Sequence, residues 1–198
     1  VELLLATRNR GKLAELSALL AGTGWQAVTL DEYPQAGMVE EDGQTFAENA
    51  VKKARAAFAV ARIWTLAEDA GLEVDALGGE PGVMSARYAG PDATDRDRIR
   101  KLLDGIVAVP EAKRTARFRC VMCLVDPAGH ERLFEGACEG SISHHARGTL
   151  GFGYDPVFIP AGRAQTFGEL GLDVKSELSH RARAMRRVVE YLSPLAGH

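Results

Sequence analysis

The sequence predicts an α/β protein built on a mixed β-sheet. Three observations lead there. The N-terminal part alternates strand-like apolar runs with helix-periodic stretches, and the middle is rich in strand-like runs. The 198 residues, 46% hydrophobic and 26% charged, have the size and composition of one globular domain or two closely joined lobes. A regular doubly wound fold would keep the alternation throughout, and this chain does not.

Residues 1–7 read as a buried strand, and residues 11–20 as a helix with Leu13, Leu16, Leu19 and Leu20 on one face. Residues 25–30 read as a second strand. Residues 45–62 predict a long helix whose apolar stripe is Phe46, Ala50, Ala54, Phe58 and Ala61. Residues 64–67 predict a strand that ends at Glu68-Asp69. Residues 72–77 alternate and stop at the turn signal Gly78-Gly79. Residues 94–103 have helical periodicity, with Thr94 as the cap. Residues 116–125 and 131–140 pair as a hairpin around Pro127-Ala-Gly129, and residues 148–153 form a glycine-rich loop. Residues 179–192 predict a helix capped by Ser179, with Ala182, Met185, Val189 and Leu192 facing inward. The chain contains no internal repeat, low-complexity tract or long linker.

Charge and composition exclude several function classes. The formal net charge is −3, without a basic stripe, which argues against a nucleic-acid partner. No apolar run approaches the roughly 18 residues that a membrane span needs. The apolar start is short, and Arg8, Arg10 and Lys12 follow it, the reverse of a signal peptide, so a cytoplasmic protein is expected. Three cysteines, an odd number, fit a reducing compartment. Cys120 and Cys123 have redox or zinc spacing, but no second pair or histidine accompanies them, and their apolar surroundings point to core packing.

Four segments carry groups suited to chemistry. Thr7-Arg-Asn-Arg-Gly-Lys12 joins a strand to a helix, where N–H groups and the helix N-terminus favour an anion, although a polar turn of this kind also serves as a plain cap. Glu40-Glu-Asp42 and Glu68-Asp69 offer carboxylate oxygens for a hard cation such as Mg²⁺, or a solvated turn in the first case. Gly151-Phe-Gly-Tyr-Asp-Pro156 lets backbone approach a ligand and sets Phe152 and Tyr154 as stacking surfaces or local core plugs. Lys175 and Ser179-His-Arg181 place cations at a helix start, where the dipole prefers anions, which makes sense if an anion joins them.

These segments, in their order, carry a resemblance. Thr7-x-Asn9-x-x-Lys12, Glu41-Asp-Gly-Gln-Thr-Phe46 with Glu48-Asn-Ala50 and Lys53-Ala54, Glu68-Asp-Ala-Gly-Leu-Glu-Val-Asp75, Gly79-Glu-Pro-Gly82, Ser85-Ala-Arg-Tyr-Ala-Gly90, Gly151-Phe-Gly-Tyr-Asp-Pro156 and Ser179-His-Arg181 resemble the inosine/xanthosine triphosphate pyrophosphatase family. The resemblance runs from Leu3 to about Leu192. It implies a single domain of two α/β lobes around a long mixed sheet, with the active-site cleft between the lobes, and a homodimer. It implies Mg²⁺-dependent hydrolysis of deaminated purine nucleoside triphosphates (ITP, dITP, XTP) to monophosphate and pyrophosphate.

By the same resemblance, Thr7, Arg8, Asn9, Arg10, Gly11 and Lys12 lie on the triphosphate. Asp69 is the catalytic proton acceptor and a metal ligand, Glu40 is the second metal carboxylate, and Glu68 sits beside the metal. Phe152, Gly153, Tyr154 and Asp155 form the base pocket, with Phe152 as the stacking face, and Lys175, His180 and Arg181 complete the nucleotide contacts, Arg181 donating to O6 of the base. Ala70 is counted with the substrate contacts, but family members often have serine there and its methyl lacks that hydroxyl. Arg8 replaces a residue that is often small, either adding a phosphate contact or pointing to solvent. Rival readings are a pyrophosphatase for pyrimidine or other modified nucleotides, and a nucleotide-binding module without catalysis.

Overall fold

The computed structural model describes residues 1–195. It is α/β, as expected, with a six-stranded mixed sheet in the order β2-β1-β3-β4-β5-β6. The strands are β1 (Glu2–Leu5), β2 (Gln26–Thr29), β3 (Thr65–Val74), β4 (Thr115–Val125), β5 (Glu131–Ile142) and β6 (Phe158–Pro160); the helices are α1 (Arg10–Leu20), α2 (Phe46–Ala61), α3 (Asp95–Gly105), α4 (Phe167–Leu178) and α5 (His180–Leu192). β1 pairs in parallel with both β2 and β3, whereas β5 and β6 are antiparallel. The hairpin forms as predicted, closed where Gly129 N donates to Asp126 O.

The chain divides into two compact units. One comprises residues 1–69, 120–136 and those from 181 onward; the other comprises residues 70–119 and 137–180. In the first, Leu3, Leu4 and Leu5 are wholly buried, with Leu16 and Leu20 of α1 and Ala50 and Ala54 of α2 also in the interior. Trp25 meets Trp64 edge to face at 5.5 Å. The second unit has a core of Leu72, Leu102, Ile106, Val157, Phe158 and Phe167, among others.

Several expectations need correction. Residues 64–67 and 72–77 were expected to be two strands; they are one continuous strand, β3, so Glu68 and Asp69 lie in its middle. The acidic pair reads as a strand end because charge is costly in a sheet interior. Here Glu68 is met by Arg181, Lys12 and the Cys120 thiol, and Asp69 by Lys53 and the Asn49 amide, which offsets that cost. Beyond Val74 the chain turns through a 3₁₀ segment, Asp75–Leu77. On α2, Phe46, Ala50 and Ala54 are buried as expected, but Asn49 and Ala57 complete the buried face in place of Phe58 and Ala61. On α5, Val188 is buried rather than Val189. Thr94 does cap α3, accepting from Asp97 N.

Helix α4 was not among the expected elements, although Phe167, Leu170, Val174 and Leu178 recur at helical spacing. Gly168 and Gly171 interrupt it, and Gly171 is not helical, with φ 78° and ψ −173°. Gly168 is there for space: a Cβ would stand 2.7 Å from the Arg147 carbonyl oxygen.

Candidate active site

In the first unit, the turn after β1 opens α1. Asn9 is its N-cap, with Oδ1 accepting from Lys12 N at 3.1 Å, and Thr7 Oγ1 accepts from Asn9 N at 3.2 Å. The predicted Thr7–Lys12 segment is therefore a built helix N-terminus, with Arg10 exposed and Gly11 half-buried. Arg8 is exposed, and its Nη2 donates to Ala36 O at 2.7 Å. Lys12 points to Glu68, at 3.2 Å. Burial works against the Lys12 charge, but Glu68 outweighs it and the pKa lies above the ordinary lysine value.

Asp69 is buried and held from α2 by two residues one helical turn apart. Asn49 Nδ2 donates to Oδ2 at 3.0 Å, and Lys53 Nζ lies 3.2 Å from Oδ1. Lys53 also pairs with Glu41 at 3.0 Å, and Glu41 comes within hydrogen-bonding reach of Asp69. Burial pushes the Asp69 carboxyl above the usual aspartate range, against the pull of Lys53, Lys12 and the Asn49 bond, while Glu41 adds to the rise. Burial also opposes ionisation of Glu41, but Lys53 prevails and holds it low. It is thus Glu41 that the fold brings to Asp69; Glu40 is exposed.

Glu68 faces a different set of partners. Arg181 clamps it through Nε and Nη2 at 2.8–3.1 Å, Cys120 Sγ donates to it at 3.0 Å, and Arg181 Nη1 reaches Glu15 on α1. Burial raises its pKa, but Arg181 and Lys12 dominate and hold it well below the carboxylate range. Within the protein, Glu15 and Glu68 thus balance the Arg181 charge, and its guanidinium donates to both. Cys120, Cys123 and Cys138 are free thiols in the interior, and burial pushes Cys123 up to about 12.

The second unit holds the aromatic loop. Asp155 is buried and accepts from Phe152 N at 3.0 Å and from Lys175 Nζ at 2.7 Å. That ammonium lies 4.8 Å from the centre of the Phe152 ring, so Phe152, Asp155 and Lys175 form one cluster. Lys175 is in the last turn of α4, where a cation suits the helix dipole, not at the helix start that the sequence suggested. Gly151 and Gly153 have positive φ, and Gly153 N donates to Asp95. Tyr154 proves to be a core plug, buried with its hydroxyl donating to Ser85 O at 2.8 Å. His180 is buried and stacked on Phe118 at 4.7 Å, and Ala70 is half-buried.

Comparisons with known proteins place this geometry. The Ham1 family model matches residues 3–191. The chain belongs to the Ham1 family. It is 48% identical to the dITP/XTP pyrophosphatase of Desulforamulus reducens, over the whole of this chain and 98% of that protein. It is 50% identical to the dITP/XTP pyrophosphatase of Symbiobacterium thermophilum, over 98% of this chain and 95% of that one. Among solved structures, a HAM1 protein from Coxiella burnetii superposes with a TM-score of 0.88 at 38% identity, covering 98% of this chain and 99% of that one. The family resemblance drawn from the motifs is borne out.

For this Ham1 protein, sequence reasoning assigned no role to Glu15, Asn49 and Lys53, and read Cys120 as core packing without its bond to Glu68. Asn49 gave a signal that could have been read, because it interrupts the apolar stripe of α2 between Phe46 and Ala54. A polar residue on a buried stripe must find a partner. The residues also suit a magnesium ion. Mg²⁺ uses one or two carboxylates and completes its shell with water and phosphate oxygens. Asp69 and Glu41 form such a pair, and the one ammonium they share, Lys53, offsets only one of the two negative charges. Among the described residues no group of three or more histidine, cysteine or acidic side chains forms a fuller cage.

Proposed function

We propose that this protein hydrolyses deaminated purine nucleoside triphosphates, ITP, dITP and XTP, to the monophosphate and pyrophosphate, with Mg²⁺ as cofactor. The observation that carries the reading is the near-full-length identity to proteins named dITP/XTP pyrophosphatase. The geometry supplies suitable groups. Asp69 accepts a proton from the attacking water, and a carboxyl whose pKa is raised is a better base than an ordinary aspartate. Asp69 and a second carboxylate from Glu40-Glu41 would hold the metal, which when bound supplies charge to phosphate oxygens and acidifies water. Lys12, kept charged by Glu68, and the first amides of α1 take the triphosphate, the amides already lying at a helix N-terminus.

Phe152 offers its ring to the base. We assign donation to O6 of the base to Lys175, beside that ring, or to Arg181; each is also paired with carboxylates, Lys175 with Asp155 and Arg181 with Glu68 and Glu15. Adenine carries an amino group at this position, and a donor facing a donor discriminates by roughly 10⁴-fold. The reading includes a homodimer in the cytoplasm. No helix among the described residues is long and apolar enough to cross a membrane.

The test is a panel of ITP, dITP, XTP and the four standard triphosphates, with Mg²⁺ or excess chelator, resolving pyrophosphate from orthophosphate. Preferential pyrophosphate release from the first three, lost in chelator, supports the reading. Equal turnover of ATP, orthophosphate as first product, or full activity in chelator overturns it. Sedimentation at micromolar concentration tests the dimer.

A further inference from the structure

Asn49 is wholly buried on α2, and both ends of its amide are engaged. Its Oδ1 accepts from Gly43 N at 2.8 Å, and its Nδ2 donates to Asp69 Oδ2 at 3.0 Å. The Gly43 N–H can only donate, so it fixes which end of the amide is oxygen and therefore turns the NH₂ toward Asp69. Approach at Gly43 is close: a Cβ there would stand 2.6 Å from Asn49 Oδ1 and 2.9 Å from Glu48 Cβ. Alanine or leucine would suit a buried helical position better, and burying an amide is unfavourable unless both ends are bonded.

We infer that Asn49 is a positioning residue that sets the orientation of the Asp69 carboxylate and registers it to the acidic loop through Gly43. One carboxylate oxygen is tied to the Asn49 amide and the other to Lys53. Neither oxygen can swing without breaking a bond to α2. The inference rests on the reading of Asp69 as the proton acceptor. It gives Asn49 no contact with substrate.

The test compares Asn49→Asp, Asn49→Ala, Gly43→Ala and Asp69→Asn, measuring kcat and KM for dITP and the melting temperature of each. Asn49→Asp keeps the shape and the acceptor for Gly43 N–H but loses the donor to Asp69. Gly43→Ala displaces the Asn49 oxygen without adding charge. Misplacing a reacting group by an ångström costs on the order of 10²-fold, so kcat should fall about 10- to 100-fold in both variants. KM should stay within about threefold, because ground-state binding is untouched. If Asn49→Ala fails to fold, the other two variants decide. Wild-type kcat in either Asn49→Asp or Gly43→Ala overturns the inference; Gly43→Ala, which adds no charge, separates misplacement from repulsion between two carboxylates. Undiminished turnover by Asp69→Asn sinks the Asp69 reading itself, and this inference with it.

Discussion

Arg181 grips Glu68 at two points in the interior of the protein: Nε lies 2.9 and 3.1 Å from the two carboxylate oxygens and Nη2 lies 2.8 Å from one of them. The remaining terminal nitrogen, Nη1, goes to Glu15. A guanidinium donating to two buried carboxylates is first of all a structural member. It keeps Glu68 ionised, and Glu68 in turn keeps Lys12 charged.

Arg181→Met is therefore expected to destabilise the fold, because it leaves Glu15 and Glu68 buried without their main partner. Breaking a buried pair from one side costs about 3–5 kcal/mol. For a chain of this size that lowers Tm on the order of 10 °C. The acid response should change with it. Glu68 has a folded pKa below its ordinary 4.5, so its stabilisation is fully present above about that pH and is lost as pH falls through the folded value. The wild type should lose stability as pH falls below about 4.5, and the variant should show a smaller drop. Thermal melts from pH 3 to pH 7 check both; an unchanged Tm accompanied only by a higher KM would return Arg181 to the base.

Asp69→Asn should abolish most turnover while leaving Tm undiminished. A lost base and ligand costs about 10²-fold or more in kcat. The sign of the stability effect follows from burial, which raises the folded pKa of Asp69 above its ordinary 3.8. A carboxyl shifted this way disfavours folding as pH rises through that value, and a neutral amide removes the penalty. A variant with near wild-type kcat, or one that melts far below the parent, contradicts this assignment.

The loop carrying Phe152 and Tyr154 separates two roles. Phe152→Ala should raise KM for ITP with little loss of stability, since the ring is half-buried. Tyr154→Phe should leave KM alone and cost about 1 kcal/mol, the hydrogen bond to Ser85 O. Parallel kinetics and melts distinguish these outcomes. The reverse pattern would exchange the two aromatics.

The sequence disclosed some of this arrangement and concealed the rest for identifiable reasons. Strands β1 and β4, helix α2 and the Thr94 cap follow from local patterning, which is strong where one face is buried. The middle of β3 was hidden because Glu68-Asp69 resembles a strand end unless their distant partners Arg181, Asn49 and Lys53 are known. Helix α4 was hidden by glycines chosen for close contacts, such as Gly168 against Arg147. The motif order revealed the family and the prominence of Asp69. Spacing could not show that Glu41 rather than Glu40 meets Asp69, or that Arg181 is taken up by carboxylates, because both are matters of tertiary pairing.

In the proposed reaction water attacks the α-phosphorus, so that pyrophosphate leaves intact while Lys12 and the α1 amides stabilise its charge. Hydrolysis of dITP in ¹⁸O-labelled water with Mg²⁺, followed by mass analysis of both products, tests it most directly. Label is expected in the nucleoside monophosphate and not in pyrophosphate. Label in pyrophosphate would mean attack at the β-phosphorus and would contradict the roles given to Asp69 and Lys12.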